Sequence, residues 1–345
     1  MYKKRNNIIV SAIFLLLTLY SANVNAGTLE NVKARGYLLC GVSSGVAGFS
    51  IPDQQSRWQG IDVDYCRAVA SAIFNDPDKV RFVALTPKEK YPALSSKQID
   101  MLARNSTWTF SRDVGMSFEF PAINYYDGQG FMVNVKKNPG VTKATDLDGA
   151  TVCVQAGTTS ELNLSDYFTA NKISYEPLVF DKFSEINAAY DAGRCDVYTT
   201  DNSSLYGIRL QLSAPDDHKV LPDIISKEPL AVMVRDDDPK WTNIVKWVHN
   251  VIVNAEEFGI TKDNVVEMKN SSNPSIRRFL GVEKSSDLGK DLNLSKDWII
   301  YVISGVGNYG EIFERNLGKD SVLNVPRGLN ELWTKGGLMY GIPVR

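Results

Sequence analysis

The sequence predicts an α/β protein of two lobes joined by two chain crossings. Three observations carry this. Strand-like and helix-like segments alternate through the first hundred residues after position 26, and that alternation restarts near residue 128. A candidate strand near residue 230 then leads back, and no long Pro/Gly linker separates the parts. Strands that alternate with helices build mostly parallel sheets flanked by helices.

The elements follow in order. YLLCGV at 37–42 is a short apolar run broken by Gly41 and followed by a small-residue loop to Phe49, which reads as a buried strand and its C-terminal loop. Residues 60–74 place Ile61, Tyr65, Val69 and Ile73 near helical spacing. VRFVAL at 80–85 is strand-like, 88–96 is helical, and IDMLAR at 99–104 is a strand. In the second lobe GQGFMVNV at 128–135 is a strand, and 150–168 reads as strand, glycine loop and helix. Thr158 and Glu161 have capping-box spacing at the start of that helix. A strand at 175–180, a helix at 183–193 ended by Gly193, and a strand, polar turn and helix at 194–210 follow. PLAVMVR at 229–235 is a strand, and 241–259 is an amphipathic helix ended by Gly259. The crossings fall near 125–130 and 227–231. The expected division is a segment 1–26, lobe 1 at 27–127, lobe 2 at 128–229, and a return to lobe 1 at 230–345 that includes a C-terminal helical extension. Two crossings make the lobes hinged rigid bodies.

Composition narrows the function. Apolar residues are 43% and charged residues 23% of the 345, as in ordinary globular proteins, and the net charge of −2 offers no basic field for nucleic acid. His218 and His249 lie apart from other ligand-like residues, against a zinc site or a histidine triad. Lys3, Lys4 and Arg5 precede an apolar run at 8–20 and small residues to Ala26, which is the pattern of a secretory signal peptide cut after Ala26. The mature chain is therefore expected to be exported. Its four cysteines, Cys40, Cys66, Cys153 and Cys195, suit two disulfides in an oxidising compartment. Of three connectivities, Cys40–Cys66 with Cys153–Cys195 keeps each bridge within one lobe. No cofactor is expected.

Several segments resemble one family. GIDVDYCRAVA, IDMLARNSTWTFSRD, QAGTTSELN and AGRCDVYTTDNSSLYGI stand in the order of the motifs of periplasmic solute-binding proteins of ABC transporters, solute-binding protein family 3. CGVSSGVAGFS, TWTFSRD, YYDGQGFMV and GNYGEIFERNLG are similar to the general L-amino-acid subgroup. The resemblance implies a type II periplasmic binding protein fold. It also implies capture of L-amino acids by lobe closure, without catalysis, and delivery by a monomer to a membrane permease. A lyase or dehydratase on the same fold, or a ligand-sensing receptor component, are the alternatives.

The chemistry of the site can be stated from the ligand. An enclosed amino acid needs a partner for its carboxylate and for its ammonium, because an unpaired buried charge is very costly. A guanidinium and the free amides of a helix start suit the carboxylate, and a carboxylate with neutral oxygens suits the ammonium. The resemblance puts Arg112 at the carboxylate, against a surface pairing with Asp113. It puts Asn105, Thr107 and Asp201 at the ammonium, against a polar strand end and a simple helix cap. Thr158 and Thr159 open a helix that favours an anion. Arg104 either selects acidic or amide side chains or forms a structural ion pair. Phe49 and Trp108, ahead of Trp58 and Tyr125, are expected to sandwich the ligand's aliphatic part. The last eighty or so residues are expected to pack on lobe 1 and the hinge.

Overall fold

The structure, a computed structural model, describes residues 27–282 and 287–345; the signal-peptide assignment at 1–26 lies outside them. The chain begins with α1 (Thr28–Arg35), β1 (Leu38–Val42), a hairpin of β2 (Ile51–Pro52) and β3 (Trp58–Gln59), and α2 (Ile61–Phe74). Next come β4 (Val80–Ala84), α3 (Pro87–Ser95), β5 (Met101–Thr107), the single turn α4 (Phe110–Asp113) and β6 (Phe118–Asp127). The chain then crosses to β7 (Gln129–Asn134), β8 (Ala150–Gln155), α5 (Thr159–Asn171), β9 (Tyr175–Phe180), α6 (Phe183–Asp191), β10 (Val197–Asp201), α7 (Asn202–Arg209) and β11 (His218–Val220). It returns through β12 (Glu228–Arg235) to α8 (Pro239–Glu257), α9 (Pro274–Phe279), α10 (Trp298–Val306) and α11 (Tyr309–Asn316).

These strands form two main sheets, ordered β4-β1-β5-β12-β6 and β11-β7-β10-β8-β9. The α/β fold class and the two lobes agree with the sequence reading. The sheets are mixed rather than mostly parallel. β4, β1 and β5 are parallel, as are β10, β8 and β9, but β12 runs antiparallel to both β5 and β6. The cause is the crossing itself, since a strand returning from the other lobe enters the sheet from the opposite end. β6 escapes sequence reading because Pro121 interrupts it; proline is tolerated there because β6 is an edge strand.

Burial follows the pleat. On β7, Phe131 and Val133 join one core cluster of lobe 2 while Met132 joins the cluster on the opposite face. The larger core of lobe 1 gathers α2, α8, α10 and α11 around its strands, with Trp241, Trp298, Tyr309 and Phe313 fully enclosed. The C-terminal segment thus packs on the same core as β1, β5 and β12. It also holds the end of β6 near the crossing: Asn330 accepts from the Tyr126 amide at 2.7 Å and donates back to the Tyr126 carbonyl at 3.0 Å. Arg327 anchors that segment to lobe 1 through a two-pronged pair with Glu256 on α8.

Both disulfides lie inside a lobe. Cys40–Cys66 ties β1 to α2, and Cys153–Cys195 ties β8 to the segment before β10. Neither joins one lobe to the other. Asp62, in the first turn of α2, does a different job. Its carboxylate accepts from the Asn105 amide at 2.7 Å and from Asn124 Nδ2 at 2.8 Å, locking the cleft end of β5 to β6. Asn105 sits at φ 32°, a left-handed conformation that this anchor helps hold.

Two expectations follow. The bridges close segments with sequence separations of 26 and 42 residues. On the chain-entropy model each contributes about 3–4 kcal/mol, so urea unfolding under strong reductant should show a markedly lower midpoint. Burial raises the pKa of Asp62 to about 6, against the opposing hydrogen bonds. The folded chain then binds the proton more tightly than the unfolded chain, whose aspartate titrates near 4. That contribution is complete below about pH 4 and is lost as pH rises through about 6. Urea titrations of the wild type and Asp62→Asn should therefore show their stability difference moving against the wild type, by up to about 3 kcal/mol, between those limits.

Candidate binding cleft

The carboxyl end of β5 and the N-terminus of α5 face each other across the space between the lobes. Lys90, Arg104, Asn105, Thr107 and Arg112 line it from lobe 1. Gln155, Thr158, Thr159, Ser160, Phe183, Thr200 and Asp201 line it from lobe 2. The lobes touch: Thr107 Oγ1 lies 3.2 Å from Thr159 Oγ1, and Asn105 Nδ2 donates to Asp201 Oδ2 at 3.1 Å. Lys88 and Asp181 form an exposed pair at 2.6 Å across the rim. The structure is a closed form.

Arg112 is buried, and its guanidinium donates to the Thr107 carbonyl at 2.7 Å and lies 5.6 Å from the Tyr91 ring. It does not pair with Asp113, whose carboxylate instead accepts from Trp108 Nε1. Arg104 is buried with its Nε donating to the Leu85 carbonyl, and it forms none of the ion pairs among the described residues. Burial depresses its pKa to about 10, which leaves it charged at neutral pH.

Asp201 stands at the N-cap position of α7 yet makes no side-chain cap bond there. Its carboxylate is turned across the cleft to Asn105 instead. Burial first, then the carboxylates of Asp127 and Glu228, push its pKa well up. A cation placed beside it would relieve both causes. Thr158 does cap α5, accepting from the Glu161 amide, and its hydroxyl donates to the Gln155 carbonyl. The reciprocal half of the capping box differs from expectation, because Glu161 accepts from the Gly157 amide. The opening amides of α5 have no intrahelical acceptor, which leaves an anion-favouring end at Thr159 and Ser160.

The aromatic expectation fails. Phe49 is fully buried in lobe 1, packed edge-on against Tyr125 at 5.3 Å, and Tyr125 in turn stacks on Phe313. Trp108 stacks on Phe120 at 5.4 Å, and Trp58 lies against Phe82; none of the four lines the cleft. Strand alternation explains Trp108: Thr107 faces the cleft, so the next side chain points away. Phe183, at the start of α6, is the aromatic that lines it.

Sequence reasoning also missed Lys90 and Glu228. Lys90, in the helix read at 88–96, is 3% exposed, and its Nζ donates to Ser106 Oγ at 2.9 Å. Glu228, at the return crossing, accepts from Thr107, from Thr159 at 2.9 Å, from Asn163 at 2.6 Å and from Ser226 at 2.6 Å. Asp127, at the other crossing, accepts from Ser203 and from the Gly128 amide. No strong sequence signal marks either acid, because a crossing strand carries no periodic cue for which polar residue turns inward. The histidines stay outside the cleft. His218 bonds Tyr190 and His249 bonds Tyr65, each at 2.9 Å. Among the described residues no cluster of His, Cys, Asp and Glu could hold a metal ion.

Comparison with known proteins identifies the family. Residues 38–264 match the model of bacterial extracellular solute-binding proteins, family 3. The chain is 54% identical to the general L-amino acid-binding periplasmic protein AapJ of Rhizobium johnstonii, over 99% of this chain and 100% of that one. It is 49% identical to the glutamate/glutamine/aspartate/asparagine-binding protein BztA of Rhodobacter capsulatus, over 96% of this chain and 97% of that one. A solved structure of an ABC transporter periplasmic binding protein from Brucella ovis, with glutathione bound, is 60% identical. It superposes with a TM-score of 0.92, covering 93% of this chain and all of that one. This chain belongs to the bacterial extracellular solute-binding proteins, family 3.

Proposed function

We propose that this protein is the periplasmic receptor of an ABC transporter, capturing free L-amino acids between its lobes and presenting the closed form to a membrane permease. One observation carries the reading. A buried guanidinium, Arg112, and a buried carboxylate, Asp201, face one cleft from opposite lobes, and neither is ion-paired among the described residues. The names of the relatives support it, since AapJ and BztA are amino-acid-binding proteins.

In this reading Arg112 and the first amides of α5 hold the α-carboxylate. Asp201, with the Thr107 hydroxyl and Asn105, holds the ammonium. Thr158 orders the start of α5. The moving units are lobe 1, formed by 27–127 and 230–345, and lobe 2, formed by 128–229. Opening breaks the Thr107–Thr159 and Asn105–Asp201 contacts and returns water to both charges. A ligand shifts the balance toward closure only by what it gains in the closed form over the open one. An amino acid that touches one lobe with its carboxylate and the other with its ammonium gains most of its binding energy on closing. Hinged closure of this kind is usual for periplasmic binding proteins. The receptor acts as a monomer, carries its signal peptide to the membrane and loses it after Ala26, and performs no chemical step on its ligand. Its partner is the permease, not nucleic acid.

Arg112→Ala and Asp201→Ala should each leave one ligand charge buried and unpaired. The loss should be about 3–5 kcal/mol, or roughly 10²- to 5×10³-fold in affinity by calorimetry with whichever L-amino acid gives the largest thermal shift. Near-normal binding by both variants would contradict the assignment.

A further inference from the structure

An α-amino acid brings one α-carboxylate, and Arg112 with the start of α5 accounts for it. Two further cations line the same cleft. Lys90 on α3 and Arg104 on β5 are each 3% exposed. Their visible partners are neutral: Lys90 Nζ donates to Ser106 Oγ at 2.9 Å, and Arg104 Nε to the Leu85 carbonyl at 2.8 Å. Neither forms an ion pair among the described residues. Two charged groups so deeply enclosed, without a counter-ion, are costly unless an anion arrives from outside.

The charges facing Lys90 come from four elements. Arg104 on β5 and Arg112 on α4 repel it, while Asp62 on α2 and Asp201 on β10 attract it. The two acids are committed elsewhere. Asp62 holds the Asn105 amide and Asn124, and Asp201 holds Asn105 Nδ2. The Tyr91 ring, 4.9 Å from Nζ, covers Lys90 from its own helix. Three cations and one acid therefore line the cleft.

We propose that Lys90 and Arg104 form a second anion subsite, which takes the side-chain carboxylate of a dicarboxylic L-amino acid while Arg112 takes the α-carboxylate. The proposal rests on the amino-acid receptor reading above. It has a consequence for protons. Burial and the two arginines hold the Lys90 pKa well below its usual value. A carboxylate in the subsite keeps the proton on Lys90. An amide leaves Lys90 free to lose the proton, and the uncharged amine then has a lone pair that can accept from the amide N–H. The same subsite thus serves acid and amide ligands in different protonation states.

Calorimetry of L-glutamate and L-glutamine at pH 7.5, in buffers of different ionisation enthalpy, tests this. The two ligands share the ammonium and α-carboxylate, so contributions from Asp201, Asp127 and Glu228 cancel in the comparison. The glutamate complex should hold more protons than the glutamine complex. Lys90→Met should abolish that difference and lower affinity for glutamate relative to glutamine by roughly 10–100-fold, with L-alanine, whose side chain brings no polar group, as the reference ligand. Arg104→Gln should lower the same ratio. Equal proton counts for the two ligands in the wild type overturn the proposal with no variant needed. So does an unchanged proton difference and glutamate-to-glutamine ratio in Lys90→Met. Failure of all three amino acids to bind the wild type would instead overturn the receptor reading, and this proposal with it.

Discussion

The cost of enclosing charge governs this molecule. Asp201 occupies a helix-cap position and leaves that helix without its cap bond. Its carboxylate crosses the gap to Asn105 of the other lobe and is buried there beside Asp127 and Glu228. Three acids this close are destabilising together unless they are protonated or a cation joins them. The opposite wall collects cations with the same problem reversed. A zwitterion placed between the walls relieves both at once, and only when the lobes are closed. On the proposed reading, the ligand and the closure are therefore coupled without any dedicated lever.

The rest of the fold serves that arrangement. Asp62 pins the cleft end of β5. Both disulfides stiffen a lobe and leave the crossings free. At the crossings, β6 and β12 run side by side and pair from Glu228 opposite Asp127 onward, so two strands bend together. The C-terminal segment adds the Asn330 clasp on β6 just before the hinge. The extension thereby holds the end of β6 on the lobe 1 side of the crossing. Gly128 itself has no room for a Cβ beside Ile224 and the Ser226 carbonyl.

What the sequence disclosed follows from where each residue's signal lies. Strand–helix alternation revealed both lobes, and the polar cluster after β5 revealed one wall, because position at a strand's carboxyl end is a chain-local property. Arg112 and Asp201 became specific through their place in motifs that resemble a family. Lys90 stayed hidden because its burial comes from neighbours distant in sequence; in its own helix it looks like any solvated lysine. Glu228 was hidden by its crossing strand. The aromatic set misled because nearness to a strand end does not say which face a side chain takes. Pro121 concealed β6, since a proline tolerated at a sheet edge looks like a break when the edge is unknown.

On the proposed reading, the cleft recognises the two backbone charges of an amino acid jointly, one from each lobe. The direct measurement is calorimetric binding of L-glutamine beside two analogues, one lacking the α-ammonium and one lacking the α-carboxylate. Each analogue should bind at least roughly 10²-fold more weakly, because each leaves a buried partner unpaired. Binding of either analogue within about tenfold of L-glutamine, a difference of only about 1.4 kcal/mol, would contradict it.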